Sequence, residues 1–364
     1  IGSSILILPI NTLNKLMIHL LLFKEKMYLL LFGFGLFLAS KIGFATEQII
    51  SSIAFGSCLK ETRPQPIWNS VNKYQPDVFI LLGDNIYGDT AEVDKLREKW
   101  NRFELVEGFQ KLRANSLLLA IWDDHDYGKN DAGGEFPAKA GSQEVFLDFL
   151  NEPKDSIRRK TPGIYDCVTI GPIGKRVQFI LLDTRYFRTP LKRAKIRKAG
   201  NGPYEPNFSI NAGILGVDQW RWLEEQLQVP ADIRIIASSI QVLSSNHGWE
   251  TWGNFPEERK RLIRLLGKAE GESIIISGDR HSAEISELNE RQLSPLLDIT
   301  SSAMNQKQHP NEEQNVYRIG NKYFRENFGT IEIDWERKKP VVFVNIKGLD
   351  GENKIQHKID YNTP

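Results

Sequence analysis

Cysteine is nearly missing: two in 364 residues leave no material for a disulfide framework. Charge of one sign is missing as well. Lys and Arg number 47 against 46 Asp and Glu, a formal net charge of +1, so no global cationic excess exists to neutralise a nucleic acid. Internal repeats, low-complexity tracts and the successive long apolar runs of a multi-span membrane protein are absent too. With 41% hydrophobic and 26% charged residues, disorder and collagen-like structure are excluded. The chain suffices for one large domain or two modest ones with a full core.

The first 45 residues read differently from the rest. Ile1 is not a methionine, and Met17 and Met27 stand as candidate initiators. From Met27 an apolar run follows basic Lys24 and Lys26, and Gly43 and Ala45 are small residues at −3 and −1 before Thr46. This pattern predicts a signal peptide over 1–45 and an exported mature chain (periplasmic, secreted or at the cell surface), with an uncleaved anchor as the alternative. No stable membrane span is expected in 46–364, and a monomer is expected.

Over that mature chain, strand and helix patterns alternate. Apolar or β-branched runs at Ile49–Gly56, Val78–Leu82, Leu117–Trp122, Val177–Leu182, Ile233–Ser238 and Ser273–Ser277 predict strands. Helical spacing marks Ile67–Tyr74, Glu92–Leu112, a segment from Ser142 to Leu150, Val217–Leu227 and Glu257–Leu266. From Glu284 the pattern becomes strand after strand, closing with Thr330–Trp335, Val341–Ile346 and Ile355–Ile359. The expectation is one α/β domain with helix-covered sheets. The basic stretch Leu191–Asn207, carrying Lys192, Arg193, Lys195, Arg197 and Lys198, reads as a solvated loop insertion.

What stands where the strands end is more informative. The runs close on Gly56-Ser57-Cys58, on Gly83 through Asp89, on Trp122-Asp123-Asp124-His125-Asp126, and on Gly278-Asp279-Arg280-His281. Ligands of open α/β sheets bind beyond the carboxyl ends of strands, so the four loops should converge. Taken singly, Cys58 reads more readily as a packed thiol and His281 as a core histidine than as ligands, and Asp84 reads as a turn former. Together they assemble sulfur, oxygen and nitrogen donors suited to a transition metal, with oxygens left for a harder ion.

In order and spacing, FGSC, GDNIYGD, WDDHDYG, LLDTRYF and GDRH resemble the alkaline phosphatase D family of metallophosphoesterases. The resemblance runs from about Ile53 to Asp334 and takes in the WGNFPEERKRLI segment. It implies an α/β/β/α sandwich with its metal site at the carboxyl ends of the strands, over 46–364, without the amino-terminal β-domain of many relatives. It also implies ferric iron held by Cys58, Tyr87 and His281, calcium or another divalent cation held by Asp124 and Asp279, and Asp84 bridging the two. Gln241, Asn246 and His247 are candidates for further ligands of the second metal.

The implied activity is hydrolysis of phosphate mono- or diesters by attack of a metal-bridging hydroxide. His125 is expected to serve the leaving oxygen, with Asp126 fixing its ring. Arg280 is expected either to meet the phosphate or to brace its loop. Arg185 is a second substrate-binding candidate, although the residues themselves lean toward a structural ion pair. A phospholipid head-group hydrolase, with Trp249 and Trp252 serving the lipid, is the alternative, and a non-catalytic metal binder a more distant one. An exported chain with two cysteines also invites a Cys58–Cys167 bridge. The expectation here is that Cys58 is a ligand and Cys167 a free packed thiol.

Overall fold

A computed structural model of the chain describes residues 47–289, 294–311 and 313–361; the segment read as a signal peptide lies outside them. The first half alternates as its hydrophobic pattern dictates. It runs β1 (Ser52–Gly56), α1 (Ile67–Tyr74), β2 (Val78–Leu82), α2 (Val93–Glu104), α3 (Glu107–Asn115), β3 (Leu117–Ile121), the single turn α4 (Asp124–Tyr127) and α5 (Lys139–Phe149). Next come β4 (Asp166–Ile170), β5 (Val177–Leu181), α6 (Gly216–Gln226), β6 (Ile233–Ser238), α7 (Pro256–Leu266) and β7 (Glu272–Ser277). The remainder is strands: β8 (Ala283–Leu288), β9 (Leu296–Ser301), β10 (Arg318–Tyr323), β11 (Asn327–Asp334), β12 (Val341–Gly348) and β13 (Asn353–Asp360).

The strands form two sheets. One has the order β13-β12-β11-β1-β2-β3, the other β10-β8-β9-β7-β6-β5-β4. In the first, β1, β2 and β3 are parallel while β11, β12 and β13 are antiparallel to their neighbours. In the second, β5, β6, β7 and β9 are parallel, with β4 and β8 antiparallel beside them.

Alternation along the second sheet assigns its two faces. Phe179 and Leu181, Ile235 and Ala237, and Ile274 and Ile276 join the core shared with the first sheet. The intervening Ile180, Ile236 and Ile275 pack with Trp220 and Leu223 of α6 and Leu262 and Leu266 of α7. Side chains with period 2 must divide in this way when both faces are covered. On the other side, α1, α2, α3 and α5 cover the first sheet, with Trp68, Trp100, Phe103, Phe109 and Phe149 in one core with Phe79 and Ile80. The result is the α/β/β/α sandwich expected.

One helix expectation needs correction. Glu92–Leu112 is two helices, broken at Leu105 and Val106. Val106 is extended, and the turn lets Phe109 stack on Phe103 at 4.3 Å while Leu105 is left exposed. Aromatic packing here outweighs continuous helical spacing.

Candidate metal centre

The four strand-end loops do converge, three from the first sheet after β1, β2 and β3, and one from the second after β7. Their backbones are unusual. Among the described residues eight non-glycine positions have positive φ, and six of them (Cys58, Asp84, Asp89, Asp131, Asp279 and His281) lie in these loops and the turn after α4. Such conformations cost about 1 kcal/mol or more each and persist where surrounding structure over-determines them.

Two donor clusters share one carboxylate. Ligand atoms of Cys58, Asp84 and His281 lie within 4.8 Å of one another, as do those of Asp84, Asp124 and His125. Cys58 Sγ is 3.4 Å from Asp84 Oδ2 and 3.1 Å from Ser302 Oγ. Tyr87 Oη is 3.4 Å from the same Asp84 oxygen and 3.2 Å from His281 Nε2. The other oxygen, Asp84 Oδ1, is buried and has no hydrogen-bond partner among the described residues. Thiol, phenol, imidazole and a doubly facing carboxylate make a donor set that fits metal ions, and a buried carboxylate with an orphaned oxygen is otherwise hard to account for.

Electrostatics point the same way. Burial drives Asp84 well above the usual carboxylate range, and Cys58, Asp124, Asp123 and Asp126 add to the effect. Burial also pushes the Cys58 thiol up to about 12, and the Tyr87 phenol upward. His281 is pushed down to about 4 by burial and then by the charges of Arg280 and His125. So many desolvated acids in one place call for cations.

His125 behaves differently from His281. Burial opposes its charge, yet the Asp89 hydrogen bond and the charges of Asp124, Asp89 and Asp123 raise it to about 9. Its Nδ1 is 2.6 Å from Asp89 Oδ1, and its ring lies 4.2 Å from that of Tyr87. Asp126, expected to orient this ring, does other work. Its Oδ1 accepts the N–H groups of Asn85 and Ile86 at 2.8 and 3.0 Å, and its Oδ2 that of Asp123 at 2.9 Å. Asp126 therefore ties the β2 loop to the start of α4, and Asp89 takes the place expected of it.

Arg185 sits in a buried ion-pair cluster, the role toward which the sequence itself leans. Its side chain is fully buried; Nε donates to Asp123 at 2.6 Å and Nη1 to Glu250 at 2.5 Å. Arg280 makes the contacts of a brace: Nη2 donates to Glu313 at 2.5 Å and its guanidinium lies over the Trp249 ring at 5.6 Å. Asp279 stands outside the two clusters, raised to about 7 by burial against the pull of Arg280.

His247 and Gln241 are occupied by each other. Nε2 of His247 is 3.1 Å from Gln241 Oε1, its Nδ1 accepts from Trp249 N, and the Gln241 amide donates to Glu284 and Thr300. Neither offers a free ligand atom, and Asn246 is exposed. Trp252 is core, edge-on to Trp220. Both cysteines are free.

Sequence reasoning missed a third acidic group. Asp124, Asp131 and Glu250 bring ligand atoms within 4.8 Å. Asp131 N donates to Asp124 Oδ2 at 2.6 Å, and Arg188 Nε lies 2.9 Å from Glu250 Oε1. Nothing local marks Glu250 in the sequence; its partners are more than sixty residues away. Asp89 was visible as the end of the Gly83–Asp89 run, without a role.

Known proteins give a consistent picture. A family model described as PhoD-like phosphatase matches residues 90–339, more than half of the chain, with Cys58, Asp84 and Tyr87 lying ahead of the matched stretch. No curated protein matches. Among solved structures, that of PhoD is 15% identical with a TM-score of 0.68, covering 87% of this chain and 72% of its own. The purple acid phosphatase PPD1 of yellow lupin (Lupinus luteus) is 12% identical at TM-score 0.63, covering 87% of this chain, which spans 55% of the lupin protein. A dimetal phosphatase of Danio rerio is 14% identical at 0.54, covering 86% of this chain and 100% of its own. At such identities these likenesses establish the fold.

Proposed function

The chain belongs to the PhoD-like phosphatase family and is a metal-dependent phosphoester hydrolase; from that premise we propose how its own residues divide the work. Asp84 is the shared ligand, with Cys58, Tyr87 and His281 on one side and Asp124 and Asp279 on the other. The donor types suit a transition metal on the sulfur-containing side and a harder divalent ion on the oxygen-rich side, for which the resemblance to the alkaline phosphatase D family implies ferric iron and calcium. Such ions, when bound, supply Lewis acidity and a nucleophile active near neutral pH.

His125 is the proton donor to the leaving oxygen, its ring held by Asp89 through Nδ1, which leaves Nε2 for the substrate. Cys58, at the carboxyl end of β1, acts as a ligand and Cys167, on β4, as a packing residue. Arg280 keeps the Asp279–His281 loop in place through Glu313 and Trp249. The observation that carries this reading is Asp84, whose ligand atoms lie within 4.8 Å of those of Cys58 and His281 on one side and of Asp124 on the other, with one buried oxygen left without a partner.

The substrates are phosphate mono- or diesters encountered outside the cytoplasm, a placement supported by the apolar run and small residues ahead of Thr46. Hydrolysis of a chromogenic phosphate monoester and diester, each with and without added calcium, tests the reading. Turnover that rises with calcium is expected. No turnover of either ester under any metal loading would overturn it, and amino-terminal sequencing that starts far from Thr46 would remove the export claim.

A further inference from the structure

The basic segment after β5 is a built hairpin. Arg193 and Tyr204 form an antiparallel bridge, Ala194 N donates to Pro203 O at 2.9 Å and Glu205 N to Lys192 O at 2.9 Å. Its tip carries Lys195, Ile196, Arg197 and Lys198, all exposed, with Ile196 at 86%. Lys192 pairs with Glu205 at 3.0 Å, whereas Arg193, Lys195, Arg197 and Lys198 form no ion pair among the described residues.

The base of this hairpin is fastened to the segment after β6 and to the turn after α4. Gly202 N donates to His247 O and Tyr204 N to Gly248 O, at 2.9 and 2.8 Å. A Cβ at Gly202 would stand 2.3 Å from Gly248 O, so only glycine permits the approach. Tyr204 Oη donates to Asp131 Oδ2 at 2.5 Å, one hydrogen bond from Asp124. Arg197 lies over the Trp249 ring at 5.5 Å, the ring that also carries Arg280.

We infer that this hairpin docks the enzyme on an anionic lipid surface. Four exposed cations without a direct ion pair, Arg193 and Arg197 among them resting on the Tyr204 and Trp249 rings, surround one projecting aliphatic side chain and suit the boundary between head groups and acyl chains. A site for a soluble polyanion would use the cations but has no use for the exposed isoleucine between two of them. Because Tyr204 is bonded to Asp131, whose N–H donates to Asp124, and Arg197 shares the Trp249 ring with Arg280, docking brings the metal site close to the surface. The inference concerns binding and stands apart from which ester is hydrolysed.

Co-sedimentation of the full chain with vesicles tests it. The vesicles are phosphatidylcholine alone or with about 30% phosphatidylglycerol. Wild type should bind the anionic vesicles in preference, with affinity falling as salt shortens the Debye length. Lys195→Gln with Lys198→Gln should weaken that binding roughly 25-fold, at about fivefold per charge. Ile196→Asp should weaken it as well. Turnover of a small soluble ester should be unchanged in both variants, which also verifies their folding. All proteins share the same amino-terminal segment, so the ratio between them reports the hairpin alone. Equal binding to both vesicle types, or variants that bind like wild type, would overturn the inference. So would hairpin-dependent binding of inorganic polyphosphate without vesicle binding, which would assign the hairpin to a soluble polymer.

Discussion

At the scale of single residues, His125 and its partner carry the clearest consequences. His125→Ala should lower the rate by ~10²–10⁴ for esters with poor leaving groups and less for good ones, because only the former need a proton. Asp89→Asn should show the same leaving-group dependence with a smaller loss, and kinetics on a leaving-group series checks both. If His125→Ala instead empties the second metal site, as metal analysis would show, the histidine is a ligand and not the donor. Asp126→Ala predicts something different. It orphans buried N–H groups of Asn85, Ile86 and Asp123, so it should cost about 2–3 kcal/mol or more in chemical denaturation. Arg185→Gln breaks a buried ion cluster and should cost about 3–5 kcal/mol, with activity lost through unfolding and not through a raised KM. A variant of normal stability with only a raised KM would restore Arg185 as a substrate ligand.

At the scale of elements, Asp148 shows how the outer helices are held. It lies at the end of α5, and its carboxylate meets Arg97 of α2 at 2.7 Å and Lys154 and Arg159 at 2.9 Å each. Burial, the largest single effect, raises the carboxyl, but these three donors together outweigh it and hold it down to about 2. A depressed carboxyl contributes stability above its unfolded value and loses it as the pH falls through the folded one. Asp148→Asn should therefore cost about 1 kcal/mol at neutral pH and almost nothing near pH 2, measured by denaturation at both. A cost that stays constant with pH would refute the ion-pair account.

Elements were also the scale most legible in sequence. The strands around Val78–Leu82 and Ile233–Ser238 announce themselves because buried parallel strands are continuously apolar. The break at Val106 does not, because it follows from the stacking of Phe103 on Phe109. The site was legible where a strand ends on its own ligand, as at Cys58 and Asp84. It was illegible where partners arrive from afar, as with Glu250, or where neighbouring acids compete for one histidine, as Asp89 and Asp126 do.

At the scale of the whole molecule, two sheets meet so that loops from both complete one centre. Cys58, Asp84 and Asp124 come from one sheet and Asp279 and His281 from the other. Binding to the folded form alone then stabilises the sandwich by mass action. Removing metal with a strong chelator should lower the melting temperature by several degrees, and restoring metal should recover it. The most direct test of the account is metal analysis of wild type and Asp84→Asn, paired with turnover of a chromogenic phosphate ester. The account predicts about two ions per wild-type chain and the loss of both, with activity, when the shared carboxylate becomes an amide. Full occupancy of both sites in an active Asp84→Asn enzyme would contradict it.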